Sequence, residues 1–546
     1  MKPIIFFCAV VFISGTALAE HEHHASPAAK PAVLLPGLGP HHHPVSTRNA
    51  EAQRFFDQGL TLVYAFNHDE AIRSFKRAVE LDPQLAMAHW GLALALGPNY
   101  NLDVDPPREK AAYEAIQKAL ALAATAPEQE RAYIEALARR YSNDPQADLK
   151  KLNVGYKNAM GQLAERYPDD LDAATLYAES MMVLRPWHLW TADGKPEEDT
   201  EEIVAVLESV LKRDPDHIGA NHLYIHAVEA SPHPERALES AGRLPGMATG
   251  AGHLVHMPGH IYMRVGDYEA AAGSNALAVK ADQKYFKMAG AQGIYPLMYY
   301  SHNIHFLAIA NAMQGRFGDA KKAAGQLVAH VGPAIKDMPM LEGFMPTPTL
   351  ILVQFRRWND ILQSPAPDPT MAVTTALWHV ARGMAYAETG NVASTEAERD
   401  AFLADTKKLP PDAMFGPLNS ASSVFAIAEN VLAGKIALAK QDKKSAIESL
   451  QKAVEAEDAL NYTEPPDWYP PAREMLGGVL LRNGDAAEAE KVFRADLAKN
   501  PRSGRSLFGL RESLKAQGKT YAAQLVQREF EAAWKNADTR LTVNDL

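Results

Sequence analysis

Residues 52–85 read AQRFFDQGLTLVYAFNHDEAIRSFKRAVELDPQL, and the spacing within this stretch predicts the fold. The residues that set the spacing are small and large apolar side chains in each half, followed by a proline: Phe55, Gly59, Leu62, Ala71, Phe75, Ala78 and Pro83. This pattern predicts two helices that approach closely where Gly and Ala lie, with Pro ending the second helix. A single pair cannot bury its apolar face, so several pairs must stack.

The same pattern recurs in units of 34 residues, the length of the tetratricopeptide repeat (TPR). A second clear unit begins at Pro470 and contains Leu476, Gly477, Leu480, Ala489, Phe493 and Pro501. Weaker copies contain Gly434, Ala446, Leu450 and Ala453, and Leu307, Asn311, Ala320 and Leu327. The sequence therefore predicts an all-α protein: a TPR-type α-solenoid of stacked antiparallel helix pairs that form a right-handed superhelix.

Composition agrees with this fold and excludes some partners. The chain has 546 residues, 47% of them hydrophobic and 22% charged, which is ample material for a continuous core. Its formal net charge of −11 argues against a nucleic-acid partner, because phosphate binding needs clustered Lys and Arg. No stretch after the first residues is long and apolar enough to predict a membrane span. The sequence does not predict the oligomeric state.

The N-terminus has the pattern of a secretory signal peptide over residues 1–19. Met1-Lys2 precedes an apolar run from Ile4 to Ile13, and Ala17-Leu18-Ala19 is a typical cleavage site. We therefore expect cleavage after Ala19 and a periplasmic or secreted protein. The only cysteine, Cys8, lies inside this segment, so the mature chain has no thiolate for a metal.

The remaining chain divides into four predicted parts. Residues 20–46 are a His-rich leader predicted to be disordered, which either scavenges metal ions or acts as a neutral linker. Its histidines are His21, His23, His24, His41, His42 and His43. Residues 47–330 form an N-terminal TPR array with a His-lined groove, residues 331–370 an irregular Pro-rich helical segment, and residues 371–546 a C-terminal TPR array.

Seven histidines in the N-terminal array share one predicted helix face: His222, His226, His253, His256, His260, His302 and His305. The repeat units that contain these histidines begin at Ile218, at Gly252 and near Ser301. Within each helix the spacing is three or four residues, so each set forms a stripe on one side. Neighbouring helices pack about 8–10 Å apart, and two imidazoles on adjacent helices can therefore reach one ion.

Histidine is the commonest side-chain ligand for transition metals, so the stripe predicts a metal site for zinc, copper or iron. The first-choice ligands are His222, His226, His256, His260 and His305. The second choices are His253, His302, Glu229 and, from the preceding helix, Glu179. The sequence does not separate a metalloenzyme, which needs an open coordination position, from a metal store or chaperone.

Two other interpretations stay open. The same histidines could line a polar groove that binds the carboxylates of a peptide, which would make the protein a non-enzymatic adaptor for a peptide or partner protein. Alternatively, they could be hydrogen-bonded core residues. Asn, Lys and Arg at the concave positions would favour an adaptor, and here those positions hold His.

The chain also resembles a family of exported, uncharacterised bacterial TPR proteins. The runs that carry the resemblance include residues 224–232 (YIHAVEASP), 253–262 (HLVHMPGHIY), 302–306 (HNIHF) and 464–469 (EPPDWY). In TPR proteins, positions 2, 5 and 9 of the first helix line the concave surface, and these are the positions of the seven histidines. The resemblance implies the fold and the location, and adds no activity. Gly259 departs from the family pattern, in which Ser is frequent.

Overall fold

The computed structural model describes residues 32–546, and consecutive helices make up most of them. The helices up to residue 331 are α1 Ala50–Tyr64, α2 His68–Leu81, α3 Ala86–Leu96, α4 Pro106–Leu122, α5 Glu128–Ala138, α6 Leu149–Arg166, α7 Leu171–Met182, α8 Thr200–Arg213, α9 Ile218–Glu229, α10 Leu238–Met247, α11 Gly252–His256, α12 Pro258–Val265, α13 Tyr268–Ala289, α14 Tyr300–Met313 and α15 Phe317–Val331. The later helices are α16 Thr347–Gln354, α17 Trp358–Gln363, α18 Ala372–Glu388, α19 Val392–Thr406, α20 Ala421–Ala439, α21 Lys443–Asp458, α22 Ala472–Asn483, α23 Ala486–Lys499, α24 Gly504–Ala516 and α25 Thr520–Ala533. Residues 32–546 contain no β-strand, and successive helices pack against one another as the repeat predicts.

Phe75 shows how the repeat packs. Its fully buried ring lies between Gly59 on α1 and Gly91 on α3, and a Cβ atom at either glycine would overlap the ring. The aromatic side chain of one helix therefore fills the space left by two glycines on its neighbours. This is the close approach that the spacing of small and large residues predicts.

The second clear unit repeats this arrangement near the C-terminus. Phe493 on α23 is fully buried between Gly477 on α22 and Gly509 on α24, and a Cβ atom at either glycine would overlap its ring. In both units, the phenylalanine lies midway in the sequence between its two glycines. The two ends of the array thus have the same helix packing.

Polar caps fix where many helices begin. The side chains of Asn49, Asp105, Asp148, Asp170 and Asp267 each accept a hydrogen bond from a backbone N–H in the first turn of the helix that follows. Such caps satisfy donors that have no partner within the helix. The positions at which these helices begin are therefore determined by the local sequence.

The segment 331–370 is built from short helices. It contains two 3₁₀ turns, Gly332–Ala334 and Pro339–Phe344, before α16 and α17. Prolines occupy the first turns of both 3₁₀ segments and of α16, where a missing N–H costs no helical hydrogen bond. The regular helix pairs resume at α18.

The C-terminal array packs back onto the N-terminal array. The Tyr268 hydroxyl donates to the Pro501 carbonyl oxygen at 3.0 Å, and the backbone N–H of Phe317 donates to Asp538 Oδ1 at 2.8 Å. At the other side of the N-terminal array, Arg73 on α2 donates to the carbonyl oxygen of Ala289, the last residue of α13. Segments far apart in the chain therefore enclose the interior around α9 to α14.

Residues 32–46, here called the N-terminal strap, lie against the solenoid. The side chain of Gln58 bonds both the Leu35 N–H and the Val33 carbonyl, and the Gly37 carbonyl accepts from the Gly250 N–H at 2.7 Å. The predicted disorder of residues 20–46 is wrong for this part. The residues of the strap have no helical periodicity, and side chains of the solenoid satisfy the hydrogen-bonding groups of their backbone. A local sequence pattern does not encode such contacts.

One carboxylate holds the strap at its centre. Asp172 on α7 accepts from the Tyr64 hydroxyl at 2.6 Å and from His43 Nδ1 at 2.8 Å, and His41 Nε2 lies 3.2 Å from it. Burial opposes ionisation of Asp172, but the imidazoles of His217, His41 and His43 outweigh this effect and hold its pKa well below the usual range. The strap is thus anchored by a buried, charged group.

The signal peptide predicted at residues 1–19 and the histidines His21, His23 and His24 lie outside the described residues. Within residues 32–546, α20 is the helix whose length and apolar composition would allow it to cross a bilayer, and 56% of that stretch is buried inside the protein.

We expect Gly91→Ala to destabilise the protein by about 1–3 kcal/mol, because the added methyl group overlaps the fully buried ring of Phe75. The measurement is urea unfolding followed by far-UV circular dichroism. The matched control is Gly325→Ala on α15, where nothing lies within 4 Å of the added Cβ, and this variant is expected to be neutral or more stable by up to about 1 kcal/mol. Equal effects at both positions would contradict the packing described for Phe75.

We expect Asp172→Asn to loosen the N-terminal strap, because the amide cannot replace a charged acceptor surrounded by three imidazoles. Losing a charge-assisted hydrogen bond costs about 1.5–3 kcal/mol, so thermolysin cleavage before Leu38 should be at least roughly tenfold faster. Mass spectrometry of the fragments measures this rate. Asp169→Asn changes a neighbouring carboxylate that is 99% exposed and should leave the rate unchanged.

Candidate metal centre

Six histidines meet in the interior of the N-terminal array, and we call them the histidine cluster: His222, His226, His253, His256, His260 and His302. They lie on α9, α11, α12 and α14. Five of them are at most 1% exposed, and His302 is partly buried. The repeat register therefore brings helices from three consecutive units to one point.

Pro258 and Gly259 shape the segment between two of these helices. Pro258 opens α12 directly after α11 ends, and its missing N–H suits a first helical turn. A Cβ atom at Gly259 would lie 2.6 Å from the Asn275 amide nitrogen. Asn275 in turn accepts a hydrogen bond from His256 Nδ1 at 2.7 Å. The structure thus explains why the residue at position 259 is small.

The first triad consists of His222, His226 and His253. One ring nitrogen from each lies within 4.8 Å of the others, and the Nε2 atoms of His222 and His253 are 3.1 Å apart. His226 Nε2 is buried and has no hydrogen-bond partner. The ring centroids are 4.9 Å apart for His222–His226 and His222–His253, and 6.2 Å for His226–His253.

The second triad consists of His256, His260 and His302. Their ligand atoms also lie within 4.8 Å of one another, and the Nε2 atoms of His256 and His260 are 2.9 Å apart. The ring centroids are 4.8 Å apart for His256–His260 and His256–His302, and 5.7 Å for His260–His302. The two triads are adjacent, with 5.6 Å between the ring centroids of His226 and His260.

In four of the six rings the opposite ring nitrogen is held by an oxygen atom, whereas His253 Nδ1 is buried without a partner. His222 Nδ1 lies 2.5 Å from the Tyr64 carbonyl oxygen, and Nδ1 of His226 and of His260 each lies 2.6 Å from an oxygen of Glu229. His256 Nδ1 faces Asn275 Oδ1, whose orientation is fixed because the Asn275 amide donates to the Ala271 carbonyl oxygen. Each of these Nδ1 atoms must therefore carry the proton, which leaves Nε2 as a free lone pair.

Two nitrogen lone pairs that face each other repel, so a positively charged group is needed between them. In the neutral forms, His256 and His260 point two Nε2 lone pairs at each other at 2.9 Å with no proton between them. A cation shared by the rings removes this repulsion, and ligating histidines commonly have their second nitrogen held by a carboxylate or carbonyl oxygen.

Burial favours the neutral form of most of these rings. It lowers the pKa of His222, His253 and His256 well below the usual value of imidazole, and neighbouring imidazoles add to the effect. Burial also lowers the pKa of His302 and of His226, in the latter case against the opposing effect of Glu229. These five lone pairs are therefore available for a metal at neutral pH.

Glu229 connects the two triads. Its Oε1 atom accepts from His226 in the first triad and its Oε2 atom from His260 in the second. Burial by itself would raise the pKa of Glu229, but its two imidazole partners lower it below the usual range, so the carboxylate is charged. The hydroxyl of Tyr462, from the segment before α22, lies 3.1 Å from Oε2. Glu229 was expected as a second-choice ligand, and the structure places it behind the rings.

Aromatic side chains cover the cluster. The Phe66 ring lies 4.5 Å from His222 and 5.5 Å from His253, and Trp187 stacks on Tyr100 beside His226. On the other side, Phe306 lies 4.8 Å from both His256 and His260. At this point of the predicted His-lined groove, large side chains therefore fill the space that a peptide would occupy.

Two residues expected as ligands lie outside the triads. His305 contacts Phe344 and Tyr469, and burial lowers its pKa to about 4. Glu179 has a buried oxygen without a partner, and burial raises its pKa to about 7 against the opposing charge of Arg140. His305 shares the predicted face with His302 but lies one turn further along α14, where the helix has left the cluster.

For several residues, no local sequence pattern indicates that they belong to the site. Phe66 and Tyr64 come from α1 and the turn after it, and Tyr462 and Glu464 come from the C-terminal array. Their contacts depend on how the superhelix closes. The motif at residues 464–469 is recognisable in the sequence, but the sequence does not indicate that this motif lies beside the histidines.

The strap adds a third group of possible ligands. His43, Asp170 and Asp172 have ligand atoms within 4.8 Å of one another, beside a cavity of about 1390 Å³. Both carboxylates already have partners, since Asp170 accepts from Gln129, Tyr133 and the Ala173 N–H. This group is therefore explained as the anchor of the strap.

The comparisons with known proteins support the repeat. A family model of the tetratricopeptide repeat matches residues 52–85 and 430–459. No curated protein sequence matches the chain. Similar solved structures include a human IFIT1 dimer with PPP-AAAA, at 15% identity over 89% of this chain and 91% of that chain, with a TM-score of 0.33. Yeast Tom70 is 12% identical over 88% of this chain and 90% of its own, with a TM-score of 0.29.

The family model and the helices of the structure together show TPR repeats in an all-helical protein. The first matched stretch, 52–85, coincides with the unit predicted to begin at Ala52. The all-α solenoid prediction is confirmed, and a TPR architecture is consistent with a protein-binding adaptor. The structure also contains groups of His and Asp that could hold a metal.

We expect Glu229→Gln to destabilise the metal-free protein by about 1–3 kcal/mol, because the new amide presents an N–H to one of two ring N–H groups and leaves it without an acceptor. Urea unfolding of chelator-treated protein measures the change. Glu208→Gln alters a half-exposed carboxylate that accepts from Tyr224, and its effect should be below about 1 kcal/mol. An unchanged stability of Glu229→Gln would show that the carboxylate does not hold the rings.

Proposed function

We propose that the histidine cluster binds transition-metal ions and that the protein handles metal in the periplasm. The observation that carries this proposal is the orientation of the rings. Oxygen atoms hold Nδ1 in four of the six rings, and the Nε2 atoms of two ring pairs, one in each triad, lie 3.1 and 2.9 Å apart. Two nitrogens bound to one tetrahedral ion at about 2.0–2.1 Å lie about 3.3 Å apart, which is close to these values. The rings therefore have nearly the geometry that ligation needs.

The donor set restricts the kind of metal. Imidazole nitrogen suits zinc, copper, iron and nickel, whereas magnesium and calcium prefer oxygen ligands. Iron in non-haem enzymes commonly uses two histidines and a carboxylate, but both oxygens of Glu229 are engaged by ring N–H groups. The proposal therefore favours zinc or copper over iron.

An adaptor function uses a different part of the molecule. Peptides bound by an adaptor need an accessible concave surface, and at the cluster this surface is filled by Phe66, Tyr100 and Phe306. A partner protein would have to bind elsewhere on the solenoid. The periplasmic location rests on the signal peptide predicted at residues 1–19, and recovery of a chain beginning at Glu20 from a periplasmic extract tests it.

The central experiment is metal analysis of the purified chain. Protein stripped with a chelator, incubated with zinc and dialysed should retain at least one ion per chain by elemental analysis. The double variant His222→Asn/His256→Asn should retain at least roughly tenfold less, because each triad loses a nitrogen donor. The double variant His68→Asn/His305→Asn removes two histidines outside the triads and should retain as much as the parent.

Three outcomes would contradict the proposal: no metal in the parent, equal retention in both double variants, or loss from the control variant alone. Far-UV circular dichroism shows whether each variant keeps its helices. If the cluster variant does not fold, X-ray absorption of the zinc-loaded parent decides instead. Imidazole nitrogens must then appear in the first coordination shell.

A further inference from the structure

The cluster supplies only neutral nitrogen ligands. Neither triad in the described part of the chain includes a carboxylate oxygen, and the sequence has one cysteine, Cys8, in the predicted signal peptide. The nearest carboxylates, Glu229 and Glu464, lie behind the rings and share the Tyr462 hydroxyl at 3.1 and 3.2 Å. The ligand shell therefore brings no negative charge of its own.

Ring positions indicate a low coordination number. A ring bound through Nε2 has its centroid about 3.2 Å from the ion, so separations of 4.9, 4.9 and 6.2 Å in the first triad correspond to angles of about 100°, 100° and 150°. These angles sum to nearly a full circle, which describes a flat T-shape. Zinc in proteins prefers a tetrahedron, in which three ligands form a pyramid and a fourth ligand completes the shell.

The second triad is less flat. Its separations of 4.8, 4.8 and 5.7 Å correspond to angles of about 100°, 100° and 125°, which sum to about 325° and describe a shallow pyramid. The flat first triad suits a closed-shell ion that accepts two or three ligands. Copper(I) is such an ion, and imidazole suits copper as a ligand.

The charged groups beside the cluster give an independent reason to expect monovalent ions. Beside the cluster lie two carboxylates, Glu229 and Glu464, and one guanidinium, Arg264, which donates to the Glu229 carbonyl oxygen and lies over the Tyr462 ring. With Glu464 either ionised or protonated, these groups carry a net charge of −1 or 0. Two divalent ions would leave a buried net charge of +3 or +4, whereas two monovalent ions leave +1 or +2. Uncompensated buried charge is strongly unfavourable, so the surroundings favour monovalent ions.

We propose that the histidine cluster holds two copper(I) ions, one in each triad. This inference rests on the proposed metal-binding function and adds the identity, the oxidation state and the number of the ions. Glu229 then orients both sites at once, because it holds one ring of each triad by its Nδ1–H group. The aromatic cover of Phe66, Trp187 and Phe306 keeps water away from the reduced ions.

The test is an anaerobic titration of the stripped full-length chain with copper(I), using bicinchoninate as a coloured competitor. We expect two ions per chain, and an excess of zinc should not displace them. Copper X-ray absorption of the loaded parent should show an edge typical of three-coordinate copper(I) with nitrogen ligands. One ion per chain, displacement by zinc, or a four-coordinate edge would overturn the proposal while leaving metal binding intact. No metal of any kind in the parent would overturn both.

Single-site variants locate the two ions. His253→Asn removes a donor from the first triad and His302→Asn one from the second, so each variant should bind one copper(I) instead of two. His305→Asn, on the same helix as His302 but outside the triads, should still bind two. If either triad variant keeps two ions, or if His305→Asn loses one, the assignment of one ion to each triad is wrong.

Discussion

The carboxylate of Glu229 occupies the centre of the N-terminal array, with one imidazole on each of its two oxygens. A buried charge of this kind is tolerated only when hydrogen bonds and opposite charge surround it. Its partners His226 and His260 come from different helices, and both are buried among other imidazoles. The positions of the two triads therefore depend on one hydrogen-bonded group, and so does the direction in which their free nitrogens point.

The helical repeat explains how so many histidines reach one place. Each helix pair is set against the next by close contacts such as that of Phe75 between two glycines, which leave little freedom in the relative rotation of the helices. Equivalent positions in successive pairs then face the same interior. In an ordinary repeat protein these positions form a surface for ligands, and here they carry imidazoles that face one another.

Closure of the superhelix turns that surface into an interior. The C-terminal array contacts α13 and α15 through Pro501 and Asp538, and the segment around Tyr462 reaches Glu229. The N-terminal strap, anchored on Asp172, covers the ends of α1 and α7. As a result, the cluster is buried, and burial favours the neutral form of five of its rings. Neutral rings are suitable ligands, and burial also makes unpaired lone pairs costly.

The sequence by itself determined the helix pairs, their register and the histidines that share a face, because each of these depends on spacing within about 34 residues. Six of the seven predicted histidines lie in the triads, and His305 does not, because a spacing of three residues keeps the helix face but moves one turn along the axis. Only the tertiary structure decided the role of Glu229, the contribution of Tyr462, the order of the strap and the filling of the groove. Those features come from contacts between residues far apart in the chain, such as Glu229 with His260 or His43 with Asp172, and no local pattern encodes such contacts.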